Sequence, residues 1–218
     1  MVRTLITLFC LFASVQSFAG EVMMKVGVNN SWFATEDGSS EIMPAFGIGV
    51  HFPLDESQKV KLGFDALYVE QKMILKDKSW QAHAPFIDEC GATFGDLHLH
   101  YHYLKIPIYL QTIVYQKRNF FSTINAGASI NFTLKSSSRG KNRRYEEGYC
   151  NYDYRRIESD RQPKYPVELV LGSELGYKAI GLEILYSYTF GKTEFLYGLE
   201  IQDHIHSIRT SLILHFNK

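Results

Sequence analysis

Over most of this chain apolar and polar residues alternate one for one, and a period of two predicts β-strands. Val22, Met24, Val26 and Val28 share one parity, while Lys25, Gly27 and Asn29 take the other. The same alternation recurs over residues 46–52, 60–68, 120–132, 167–175, 180–188 and 208–216. In every segment one face is apolar and the other is small, polar or charged. The stretch around residue 100 breaks the rule, because Leu97, Leu99, Tyr101 and Tyr103 share one parity and Leu104, Ile106, Ile108 and Leu110 the other. A β-bulge near Tyr103–Leu104 is expected to return both sets to one face, since one extra residue flips the register. Pro107 has no N–H for a ladder and needs a special pairing there.

The connections alternate in length. Short ones fall at 53–59, 115–119 and 178–179, long polar ones at 76–96, 135–164 and 191–204, with 35–41 between the two classes. That order predicts an all-β fold, an antiparallel up-and-down transmembrane β-barrel of about eight strands with short periplasmic turns and long extracellular loops. A soluble β-barrel with its apolar face inward has the same periodicity. Two features favour the membrane arrangement. Phe52, Phe120, Tyr177 and Phe216 fall at the short-turn end, and Trp32, Tyr68, Tyr101, Phe132, Tyr186 and Tyr188 at the long-loop end, giving two aromatic belts around an aliphatic band. The polar face carries Lys25, Lys61, Asp65, Lys105, Glu168, Glu174, Glu183 and Arg209, whose mixed signs suit a closed lumen charge network. An eight-stranded interior is only wide enough for its own side chains, so no water-filled pore is expected.

The N-terminus changes the compartment. Arg3, the apolar run over residues 5–15 and Ser17-Phe18-Ala19 have the order of a cleaved signal peptide spanning 1–19, which leaves residues 20–218 as one barrel domain. With 23 basic and 23 acidic residues the net charge is zero, so a nucleic-acid partner is not expected. Aromatics make up 14% of the 218 residues, which suits interfacial belts. Cys10 departs with the signal peptide. Cys90 and Cys150 remain, both in predicted loops, either as one disulfide in an exported protein or as two free thiols.

Tyr103-Leu104-Lys105-Ile106-Pro107-Ile108-Tyr109-Leu110 resembles the fourth strand of PorT-like outer-membrane β-barrel proteins, relatives of the small OmpA-like, eight-stranded barrels. Lys25-Val26-Gly27-Val28-Asn29, Phe46-Gly47-Ile48-Gly49-Val50 and Asn125-Ala126-Gly127-Ala128 follow in the order of that family. Lys105 departs from it, standing where the family commonly has an acid, as do the long cysteine-bearing loops. The resemblance implies an outer-membrane barrel with no catalytic residues to carry over. Some relatives in that family serve secretion or gliding machinery, and many have no assigned role.

Candidate chemistry is sparse. His98, His100 and His102 have the alternate spacing that puts imidazoles on one strand face, where they are candidate metal ligands for Zn²⁺ or Cu²⁺ with His83, His204 or His206 as a fourth. The competing reading is a polar row facing the lumen near the barrel mouth. Residues 139–161 are dense in Arg and Tyr, from Arg143-Arg144-Tyr145 to Tyr154-Arg155-Arg156, and suit either a binding loop or a solvated one. His206 and Ser207 are adjacent and point to opposite faces, so they form no nucleophile–base pair. No cofactor motif is present, since Gly47-Ile48-Gly49 lacks a third glycine and a following helix. The sequence therefore predicts a non-enzymatic outer-membrane barrel that meets outer-membrane lipid or lipopolysaccharide and, through its loops, envelope proteins. The alternatives are a lipid A-modifying barrel enzyme and an accessory subunit of a secretion or gliding complex.

Overall fold

The computed structural model describes residues 20–33, 38–80, 93–140, 167–189, 193–195, 199–201 and 204–216. Eight antiparallel strands close on themselves. In chain order the elements are β1 (Glu21–Phe33), β2 (Gly38–Glu41), β3 (Met43–Pro53), β4 (Val60–Trp80), β5 (Thr93–Lys117), β6 (Phe120–Gly140), β7 (Val167–Tyr177), β8 (Ile180–Thr189), β9 (Thr193–Phe195), β10 (Leu199–Ile201) and β11 (Ile205–Phe216). β2 and β3 are two halves of one strand lying on β4, where Glu41 and Ile42 both point outward at a one-residue slip in register. With β2 and β3 counted as one strand and β9 and β10 set aside, each strand pairs with its sequence neighbours, and β1 on β11 closes the ring. β9 and β10 form a separate small hairpin within the predicted 191–204 loop. Strands also extend into the other long loops predicted from sequence, to Trp80 and from Thr93 on β4 and β5, and to Gly140 on β6.

Three tight connections and both described ends lie at one end of the barrel. In the first, Asp55 accepts hydrogen bonds from the Ser57 hydroxyl and from the Val60 N–H, the latter at 2.8 Å, and these hold its carboxyl below the ordinary aspartate range. Arg118 and Lys178 open two-residue turns in the left-handed region, each with φ of 52°.

The lipid-facing arrangement is visible in burial. Met24, Val26, Val28, Ile124, Ile130, Leu169, Leu171, Leu182, Ile184 and Leu212 stand exposed on the outside, and Lys25, Asp65, Lys105, Glu168, Glu174, Glu183 and Arg209 are buried inside. In water such an exterior would be an aggregation surface; in a bilayer it is the favoured one.

The expected bulge in β5 is absent. Leu99, Tyr101, Tyr103, Lys105, Pro107, Tyr109 and Gln111 all face inward without a break in parity. The extra residue lies instead on β6, opposite His102–Tyr103, and another interrupts β5 at Val114. Pro107 is accommodated by a gap, since the β4–β5 ladder omits Asp65 and Ala66 opposite Ile106 and Pro107. Tyr101 accordingly leaves the outer aromatic belt and joins Phe33, Met73, Leu99, Tyr103 and Ile205 in a buried apolar cluster inside the barrel mouth.

The reason is a change of solvent along the strand. Up to Tyr68 and Leu104, which pair across β4 and β5, the exterior is apolar. Past them it carries Glu70, Lys72, His98, His100 and His102, and the interior becomes largely apolar around the buried Gln71. The barrel is inside-out in lipid and turns into an ordinary water-soluble barrel above it.

Inner-face glycines make the room for the interior. A Cβ at Gly176 would fall onto the Phe121 ring, which is packed edge-on to His215 at 5.6 Å. Gly176→Val is expected to destabilise the barrel by about 1–3 kcal/mol through overpacking. The urea midpoint of the gel-mobility transition measures this, and a midpoint equal to wild type would mean that the ring has free space.

Candidate functional site

The barrel interior is a column of hydrogen-bonded polar side chains in three tiers beneath the apolar cluster. Each tier is assembled by strands whose period of two sends every second residue inward. In the middle tier Lys25 Nζ donates to Asp65 at 2.7 Å, to Glu183 at 2.8 Å and to the Tyr109 hydroxyl at 3.1 Å. Tyr109 donates onward to Asp65 at 3.1 Å, and Arg209 donates to Glu183 at 2.8 Å. Two cations thus meet two anions, all buried, which is the condition under which enclosed charge is tolerated.

Toward the loops, Lys105 is held by both oxygens of Glu168, at 2.8 and 3.0 Å, and Thr189 donates to the same carboxylate at 3.2 Å. Toward the short turns, Lys61 contacts Glu21 at 2.6 Å. His215 lies between Glu21, 2.7 Å from Nδ1, and Glu174, 2.6 Å from Nε2. Two carboxylates in this tier thus face Lys61 and the His215 ring. Gln111 donates to Glu174 at 3.2 Å, and His51 meets the Tyr109 hydroxyl at 2.8 Å, linking the lower two tiers.

All eight charged residues singled out from the alternation face this interior. They divide into Lys25–Asp65–Glu183–Arg209, Lys105–Glu168, and Lys61 and Glu174 in the tier nearest the turns. Sequence reasoning missed Glu21, Tyr109, Gln111 and His51 as partners. Each has the inward parity of its strand, and that parity was the available signal. The space bounded by Asn29, Lys105, Ser129, Glu168, Ser207 and Arg209 is about 10 Å³, enough for one water molecule.

His98, His100 and His102 do not face the lumen. They point outward from β5 just past the aromatic belt, because the β5 parity does not flip. A second outward cluster stands on the other side of the barrel. His206 there stacks on Trp32 at 5.7 Å and meets the Tyr186 hydroxyl at 2.5 Å, while His204 packs on Tyr188 at 5.0 Å. Cys90, Cys150, His83, most of the Arg- and Tyr-rich 139–161 segment and residues 1–19 lie outside the described residues.

Residues 16–194 match the family described as outer membrane protein beta-barrel domain. A comparison with curated proteins finds no match. Among solved structures, Neisserial surface protein A superposes with a TM-score of 0.45 at 11% identity, covering 90% of this chain and 97% of that one. Ail, the attachment invasion locus protein of Yersinia pestis, solved with the heparin analogue sucrose octasulfate, gives 0.40 at 11% identity, covering 90% and 99%. The translocator domain of the autotransporter NalP from Neisseria meningitidis gives 0.27 at 9% identity, covering 99% and 96%.

Proposed function

The chain belongs to the outer membrane protein beta-barrel domain family, and on that premise we propose that it is a non-enzymatic barrel whose filled lumen serves as a rigid stand for its surface loops. It is an outer-membrane protein. Residues 1–19 act as its export signal, the short turns face the periplasm and the long connections face outward. The observation that carries this reading is the paired interior: matched charges occupy the lumen, and the space between them holds about one water. A barrel that neither conducts nor encloses a substrate leaves its outer surface to do the work.

The connection over 141–166 holds Arg143, Arg144, Tyr145, Tyr149, Tyr152, Tyr154, Arg155 and Arg156. Arg and Tyr are the residue types that anchor interfaces and meet phosphate oxygens, which suits lipopolysaccharide or an envelope protein as the partner. The motif over 103–110 supports a place among PorT-like members, some of which work in secretion or gliding complexes.

Fractionation with an unboiled-versus-boiled gel comparison tests the reading, together with conductance across a planar bilayer. Outer-membrane recovery, faster migration before boiling and no stepwise conductance are expected. Discrete ion-conducting steps would overturn the filled lumen. Release of acyl chains from lipopolysaccharide by the purified barrel would overturn the non-enzymatic part.

A further inference from the structure

On the outer wall, immediately beyond the belt, β4 and β5 bring Glu70, His100 and His102 together so that one ligand atom from each lies within 4.8 Å of the others. We infer that Glu70, His100 and His102 form a surface site for a late-transition divalent cation of the Zn²⁺ class, with a fourth position open to the exterior.

The ladder builds this arrangement. His100 and His102 are two residues apart on β5 and share a face, with ring centroids 4.4 Å apart. Glu70 is the direct cross-strand partner of His102, so its carboxylate reaches both rings. Glu70 Oε2 is 3.4 Å from His100 Nε2, and Glu70 Oε1 is 3.7 Å from His102 Nδ1. Around a tetrahedral ion with ligand bonds of about 2.0–2.1 Å, neighbouring donor atoms stand roughly 3.3 Å apart. Each of these two edges, one from each Glu70 oxygen, is therefore within a few tenths of an ångström of a coordination edge, and all three ligand atoms lie within 4.8 Å of one another.

Two imidazoles and one carboxylate are the donor set that Zn²⁺ uses where it keeps a fourth position free. Tyr68 supplies the outer support, donating its hydroxyl to Glu70 Oε1 at 2.9 Å while its oxygen meets His102 Nδ1 at 2.5 Å. With an ion bound, His102 would carry its proton on Nε2 and offer Nδ1 in place of its contact with the Tyr68 oxygen, while the Tyr68 hydroxyl would stay on the carboxylate. Lys72, the cross-strand partner of His100, is engaged by Glu41 at 3.2 Å. The three ligands are part-exposed, with 19–29% of each side chain open, so the ion has a direct path in. The competing cluster at Trp32, Tyr186 and His206 offers stacked rings and no carboxylate among the described residues, and supplies the control.

The test uses the untagged full barrel in detergent micelles, titrated with Zn²⁺ by calorimetry, with bound metal counted after gel filtration. One equivalent is expected. His100→Ala/His102→Ala should weaken binding at least about 100-fold and Tyr68→Phe about 10-fold, the usual cost of a lost supporting group. His206→Ala should leave binding unchanged. Retention of the unboiled gel shift shows that each variant is folded. Co²⁺ on the wild-type barrel gives a second readout that needs no variant, an absorption band of tetrahedral nitrogen–oxygen ligation. Absence of that band, no stoichiometric Zn²⁺, or equal binding by the double variant would each overturn the site.

Discussion

Lys25→Met should lower the stability of the folded barrel by about 3–5 kcal/mol, the cost of leaving enclosed charges without their partner. Lys25 is 1% exposed and is the shared donor to Asp65, Glu183 and Tyr109. Without it, two carboxylates remain for Arg209, which touches Glu183 at 2.8 Å and reaches Asp65 only at 3.9 Å. Methionine fills the same volume, so the loss is electrostatic and no cavity confuses it. Lys25→Met/Asp65→Asn should regain at least half of the loss, because Arg209 and Glu183 stay matched. Urea titration in lipid vesicles, followed by gel mobility, measures both. A double variant no more stable than the single one would mean that the interior charges are wet and weakly coupled.

Leu212→Arg should cost about 2–4 kcal/mol, the depth-dependent cost of a cation on the lipid face near the midplane. Leu212 is 59% exposed and lies outward on β11 between Phe216 at the turn end and His206 at the loop end. On a water-soluble barrel the same change at so open a position would register within about 0.5 kcal/mol. Ile74→Arg is the contrast, because Ile74 points outward past Glu70 and Lys72, and a cost of about 0–1 kcal/mol is expected there. Equal costs at the two depths would refute the position of the lipid boundary.

The alternation made the barrel, its closure and the facing of most strands legible, because a membrane sorts side chains by parity more strictly than water does. Val22 to Val28 on β1 and Ile208 to Phe216 on β11 needed nothing more than a count of odd and even. The same rule failed at Tyr103–Leu104, where the apolar set changes parity. An extra residue would explain that change, and so does a change of surroundings at constant register. The structure takes the second course, which sends Leu99, Tyr101 and Tyr103 inward and the three histidines outward. Pairing within the lumen was legible only as a set of candidates. That Lys25 bridges Asp65 and Glu183 while Lys105 goes to Glu168 depends on stagger between strands far apart in sequence, 40 and 158 residues for Lys25 alone. Glu70 as a companion of His100 and His102 was hidden for the same reason, since cross-strand registration supplies it.

The apolar cluster at the mouth makes the barrel a stoppered tube. Phe33, Met73, Leu99, Tyr101, Tyr103 and Ile205 are at most 5% exposed, whereas Glu21 and Lys61 at the opposite end keep about a tenth of their side chains open. Glu21 and Lys61 are therefore the most open charges of the column. In sealed vesicles carrying the barrel in one orientation, the compartment at its turn end would meet the interior charges most directly, so one molecule carries two chemically distinct faces on a single continuous sheet.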